Sequence, residues 1–304
     1  MTDDRFIQSW DGVDVYFEPL EHNYQIEMGD GPKPIPSVSE IMEYVPKYLS
    51  SWGQKNGVKG MMELVRRSIL DRVASESSDS ALIDLSRFSL DDYDFNFSLI
   101  KDLGLDSDSI RDAAAARGTT VHAAFRGWVE NGVDPAPALY SGEVVGYIKS
   151  LRSLTAALDG KTETLLCEQP IASPLYGVAG TPDWLFRVTS PLKVQKGGNL
   201  SKRPNYLELK PGELCLVDFK TSAQVYKSHT YQLSAYEMMA RELGIASDEV
   251  IRRFVCLVKP DGEGVNFKEQ PEASEQFLAA LCTYNAEKRP DGWNGKKLSV
   301  GVAL

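Results

Sequence analysis

The spacing of apolar positions changes character near Gly160. Upstream it is mostly helical. Met61, Met62, Leu64, Val65, Ile69, Leu70 and Val73 share one face within a helical stretch from Trp52 to Leu103 that turns Ser- and Asp-rich after Ala74 and reads as a loosely connected cap. Before it, short apolar stretches broken by Gly and Pro, as in YFEPLEHNYQIEMGDGPKPIP, predict a hairpin leading into a turn. Ser37-Val-Ser-Glu40 has capping-box spacing and predicts a helix through Met42. Two more helices are predicted from Ser107 to Glu130 and from Glu143 to Leu158. Beyond Gly160 the runs TETLLCEQPIA, GVAGTPDWLFRV, YLELK, LCLVDFK and RRFVCLVK are short, rich in Leu, Val and aromatics, and bounded by turn residues, so they read as strands. Helical runs interrupt them from Ser228 to Leu243 and close them from Ser274 to Lys288. The expected architecture is α/β, with a central mixed sheet flanked by helices. Its parts are an N-terminal hairpin and acidic helical cap over 1–106, a core over 107–290 and a tail over 291–304.

Charge adds an asymmetry to this picture. The net charge of -10 argues against a nucleic-acid partner when taken whole. Residues 1–110, however, hold 21 acidic against 10 basic residues, a balance of -11 that accounts for all of it. From Leu185 to Thr230 the balance is +5, eight basic against three acidic, which suits a nucleic-acid channel or a solvated loop. Cys167, Cys215, Cys256 and Cys282 form no C-x-x-C pair and read as buried reduced thiols. No apolar run approaches a membrane span, and MTDDRFIQSW has neither a basic end nor an apolar stretch, so a cytosolic protein is expected. No G-x-x-x-x-G-K-[ST] loop is present, so no nucleotide cofactor is expected and any unwinding of a duplex must come from a partner.

Three residues carry the candidate chemistry. Gly180-Thr-Pro-Asp183 ends in an acid within an apolar stretch, and Asp218 ends the apolar run Leu214-Cys-Leu-Val217 with Lys220 two positions on. In a strand, residues two apart face the same way, so Asp218 and Lys220 project together. A buried carboxylate and lysine are costly unless they serve each other, as a salt bridge, or a metal. Phosphodiester hydrolysis needs such a set: acids to hold a divalent cation and a group to orient the attacking water.

Asp183 after its Pro, the strand-borne Asp218-Phe-Lys220, and Gln232-Leu-Ser-Ala-Tyr236 on the next helix occur in the order and spacing of a known pattern. The chain resembles a PD-(D/E)xK nuclease, within the RecB-like exonuclease branch that includes phage-encoded members. The resemblance covers residues 118–236 and touches the N-terminal part only at the short IPSVSEIM segment. It implies a restriction-endonuclease-like core and hydrolysis of DNA by magnesium-activated water, with manganese able to substitute. Asp183 and Asp218 would hold metal, and Lys220, with a pKa lowered by its surroundings, would orient or deprotonate the water. His122, in Gly118-Thr-Thr-Val-His122, and Glu168, in Cys167-Glu168, match further marks of the family and would be additional ligands; Gln232 and Tyr236 would position DNA or support the site. Exonuclease action is favoured, in a bacterial or phage-infected cytosol, with a recombination or replication protein as a possible partner. A structure-selective endonuclease, a catalytically silent binding module and an interaction protein whose acidic N-terminal third docks a basic partner are the alternatives.

Glu208-Leu-Lys210 also fits E-x-K, but Pro211-Gly212 follows at once and places it at a hairpin end, so Asp218 and Lys220 are preferred. Lys193, Lys196, Lys202 and Arg203, in the Gly-rich segment SPLKVQKGGNLSKRPN, are read either as a solvated loop or as a clamp on the DNA backbone.

Overall fold

The computed structural model describes residues 6–45 (without 11, 20–22, 28 and 30), 98, 100–196, 205–246, 249–289 and 293. The helical pattern expected over 52–97 lies outside them. The chain forms two compact units, residues 1–46 with 118–304, and residues 47–117.

The first unit is built on a mixed five-stranded sheet in the order β13-β12-β11-β8-β5. Its strands are β5 (Thr162–Cys167), β8 (Trp184–Val188), β11 (Leu214–Lys220), β12 (Ile251–Val258) and β13 (Val265–Gln270). Only β11 and β12 run parallel, joined by the crossover helix α4 (Lys227–Glu242); the other neighbours are antiparallel. Strand β11 is buried on both faces, which is why LCLVDFK reads as a continuous apolar run.

Period two divides its side chains. Leu214 and Leu216 pack with Leu185, Val255 and Leu257 against α4 and the last helix, α5 (Ser274–Lys288). Cys215, Val217 and Phe219 pack with Trp184, Phe186 and Phe254 against α2 (Ser107–Asn131) and α3 (Val144–Leu158). On this second face Trp184 stacks on Phe186 with centroids 3.7 Å apart, and Phe125 of α2 sits against both Trp184 and Phe219. Asp218 and Lys220 follow the same alternation and lie on the α4 face of the sheet.

The N-terminal hairpin expected from sequence is a four-stranded antiparallel meander, β1 (Phe6–Trp10), β2 (Val13–Glu18), β3 (Asn23–Glu27) and β4 (Pro32–Ile35). Its buried Val13, Val15, Tyr24, Ile26 and Ile35 cover Ala172 and Ala179 of the two-stranded ribbon β6 (Ile171–Ser173) and β7 (Val178–Gly180). Ser37 then caps α1 (Val38–Ile41), its hydroxyl accepting the Glu40 N–H at 3.0 Å, and a turn of 3-10 helix continues to Tyr44. This burial makes the first 46 residues part of the core unit. In the expected tail, Trp293 donates its indole N–H to Pro174 O at 2.9 Å.

The runs TETLLCEQPIA and GVAGTPDWLFRV, each expected as one strand, divide into β5 with β6 and β7 with β8, and neither β13 nor β9 (Leu192–Gln195), which pairs with β10 (Tyr206–Leu209), was expected. Cys167, Cys215 and Cys256 are buried as expected, whereas Cys282 is exposed on α5.

Candidate active site

The site lies where β8 and β11 part. Their ladder runs from Leu214 opposite Arg187 to Val217 opposite Trp184 and ends there. Pro182 has no N–H to continue it, so beyond Val217 the β8 side of β11 is left with unpaired peptide groups. Side chains take over. The Phe219 N–H donates to Asp183 Oδ2 at 2.6 Å, and the Phe219 carbonyl lies 3.2 Å from His122 Nε2. A buried peptide must find partners, and here it recruits two of the candidate residues to satisfy it.

Glu168 joins them through its backbone. Strand β5 carries a register shift between Thr164 and Leu166, and Glu168, just past its end, has φ 50, a left-handed conformation rare for a residue with a side chain. Its N–H is shared between Pro182 O at 3.1 Å and Asp183 O at 3.2 Å, which brings its Oε1 to 2.8 Å from His122 Nδ1. His122 Nδ1 also lies 3.6 Å from Asp183 Oδ1. Ligand atoms of His122, Glu168 and Asp183 all fall within 4.8 Å of one another, a grouping able to hold a metal ion.

Asp218 and Lys220 stand beside this group. Lys220 Nζ donates to Asp218 Oδ1 at 2.6 Å, while the buried Oδ2 of Asp218 has no hydrogen-bond partner among the described residues. An orphaned carboxylate oxygen in the interior is costly, so this atom is fitted to take a cation. Burial raises the pKa of both Asp183 and Asp218 against the lowering influence of Lys220, helped at Asp183 by His122. Burial would depress His122, but Asp183 and Glu168 outweigh it and lift the imidazole to about 9.

The expectation of a lowered Lys220 pKa is corrected. Desolvation does pull it down, but the carboxylates of Asp218 and Asp183 prevail and hold the ammonium above its ordinary range. Lys220 is therefore a charged donor here.

Gln232 and Tyr236 meet on one face of α4, the Gln232 side-chain N–H donating to the Tyr236 hydroxyl at 2.9 Å. The Tyr236 ring is buried against Gly180: a Cβ there would sit 2.6 Å from its Cε1. Together with the Tyr24 hydroxyl, 2.8 Å from Thr181 Oγ1, it fixes the turn leading to Asp183. The alternative E-x-K run, Glu208-Leu-Lys210, lies on the β9–β10 ribbon and the turn after it. Glu208 is exposed and pairs with Lys193 at 2.9 Å, both on the β9–β10 ribbon, and Lys210 sits in the turn entering β11. Lys196 is exposed at the end of β9; Lys202 and Arg203 lie outside the described residues.

The Phe219 peptide was missed in the sequence, since it has no residue-type signal. His229 stands one helical turn before Gln232 on α4, close enough in sequence to be expected near the site. It lies within the electrostatic influence of Asp218 and Lys220, and burial lowers its pKa to about 4.

No family model matches the chain, and no curated protein matches it. Among the described residues no helix is long and apolar enough to cross a membrane.

Proposed function

We propose that the protein is a metal-dependent nuclease that hydrolyses DNA phosphodiester bonds, on a restriction-endonuclease-like core of the PD-(D/E)xK kind, RecB-like branch. The observation that carries this reading is the convergence of His122, Glu168 and Asp183 at the point where two sheet strands separate, with a buried, unpartnered Asp218 oxygen and a charged Lys220 on the adjoining strand. A purely structural salt bridge would need neither the left-handed Glu168 nor a histidine held between two carboxylates.

The donor set is oxygen-rich with one imidazole, which suits magnesium or manganese. His122, Glu168, Asp183 and Asp218 are the residues that would hold the ion. When bound, a divalent cation supplies charge neutralisation at the phosphate and acidifies water for attack. Lys220, as an ammonium, donates hydrogen bonds that orient the attacking water or steady the phosphate oxygens, and it balances the charge on Asp218. Gln232 and Tyr236 hold α4 against the turn bearing Asp183, so the acids keep their spacing. The +5 balance of residues 185–230 is a local excess of positive charge in the sequence of an acidic chain, which suits a polyanionic substrate. Exonuclease action is the form of the activity we favour.

The test is digestion of end-labelled linear and covalently closed circular DNA with magnesium, comparing the native chain with Lys220→Ala. Loss of linear DNA alone, reduced about 100-fold or more by the substitution, is expected. Nicking of circles would reassign the activity to an endonuclease, and no cleavage of either substrate would overturn the reading.

A further inference from the structure

One polar side chain near the site is not used by the chemistry above. His229 sits in the first turn of α4, half-buried, with its Nδ1 accepting the Tyr226 N–H at 3.4 Å and its ring edge-on to the Tyr226 ring, centroids 5.4 Å apart. An imidazole that accepts at Nδ1 and is neutral carries its proton on Nε2. Among the described residues this Nε2–H has no hydrogen-bonding acceptor, although His229 feels the charges of both Asp218 and Lys220. Asp218, whose charge His229 feels, has at its buried Oδ2 an acceptor without a donor among the described residues. The two do not bond each other. A donor left open and an acceptor left open in one charged corner are both satisfied when an anionic oxygen and a cation enter together. A phosphodiester with its divalent counter-ion is a ligand of that description. Tyr226, whose ring meets that of His229, is 49% exposed to solvent. Exposed aromatic faces beside a phosphate site serve as stacking platforms for bases.

We propose that His229 is a substrate-binding residue, donating Nε2–H to a non-bridging oxygen of the scissile phosphate, with the Tyr226 ring stacking on the adjoining base. This rests on the nuclease reading given above. It deepens that reading by assigning the α4 end of the site to the substrate.

The two ring nitrogens can be tested apart. In His229→Asn the side-chain amide stands near the Nδ1 position and keeps the cap on Tyr226, but nothing reaches where Nε2 was. In His229→Gln an N–H is restored near the Nε2 position while the cap is lost. With end-labelled linear DNA and magnesium, His229→Asn is expected to lose about 10- to 100-fold in kcat/KM with a native melting temperature, the range for a hydrogen bond to a charged group. His229→Gln should recover much of that activity at a lower melting temperature. The opposite pattern, Asn active and Gln inactive, would make His229 a helix cap and overturn the proposal, as would two variants equal to native. Should either variant fail to fold, Tyr226→Ala supplies the second reading. It is expected to weaken binding of a fluorescent single-stranded oligonucleotide in calcium about 10-fold or more, and unchanged binding would overturn the proposal. If the native chain cleaves DNA while these variants behave as native, only this proposal fails. If the native chain cleaves nothing, the nuclease reading fails first and takes this one with it.

Discussion

Phe219 brings no side-chain chemistry to the site, yet its peptide is what gathers Asp183 and His122. Both side chains satisfy backbone groups that the separation of β8 from β11 leaves open, so their positions follow from the sheet and not from each other. The motif residues were legible because Asp and Lys stand out in apolar runs; the roles of the Phe219 peptide and of the Glu168 backbone were not, since neither leaves a mark in residue type. His229 gives a pH dependence at this scale. Its folded pKa, about 4, lies below the ordinary imidazole value of 6.5, so the unfolded chain takes up the proton first as pH falls. The stability that comes from keeping it neutral is complete above about pH 6.5 and is lost on acidification toward pH 4, up to about 3 kcal/mol for a shift of this size. Urea unfolding of the native chain and His229→Gln should therefore show the native chain losing ground to the variant between pH 7 and pH 4.5; parallel curves would mean that the imidazole is not buried in its neutral form.

At the scale of elements, helices were the most legible part. The predicted runs from Ser107, Glu143, Ser228 and Ser274 correspond to α2 through α5 with ends shifted by about a residue, because each is a run of 15 residues or more without a proline, too long for a strand. Strands β9 and β13 were missed for a different reason. LKVQ and VNFKEQ are short and half polar, and what makes them strands is a partner found only after folding, β10 and β12 respectively. Helix packing also depends on contacts the sequence hides. Gly146 of α3 approaches the turn between β12 and β13 so closely that a Cβ would lie 1.6 Å from Pro260 O, whereas a Cβ on Gly127 of α2 meets nothing within 4 Å. Gly146→Ala should destabilise by about 3 kcal/mol through overpacking, and Gly127→Ala should stabilise by up to about 1 kcal/mol through helix propensity. Thermal unfolding of the two variants would show shifts of opposite sign; two shifts of the same sign would contradict the packing described for α3.

For the whole molecule, the first 46 residues belong with the core, which changes what truncation does. Val38, Ile41 and Met42 are buried among Leu233, Tyr236 and Tyr284, so removing residues 1–46 uncovers the side of α4 that supports Asp183. The truncated chain is expected to lose cooperative unfolding and activity together; a folded, active truncate would show the N-terminal sheet to be an accessory. Ligand linkage offers a further check. Magnesium or manganese at about 100 times its dissociation constant should stabilise the native chain by roughly 2.7 kcal/mol, a rise of several degrees in Tm, and Asp183→Asn should abolish the rise. The sequence alone determined the α/β class, the helices and the residues able to do chemistry, because periodicity and ionisable groups in apolar runs are local properties of the chain. Tertiary structure alone decided that β8 and β11 separate beside Pro182, that Glu168 turns left-handed toward His122, that Lys220 stays charged between two carboxylates, and that the N-terminal sheet covers the ribbon behind the site. Each of these depends on groups distant in sequence sharing one buried, low-dielectric space, where an unpaired peptide or charge must find its partner across the fold.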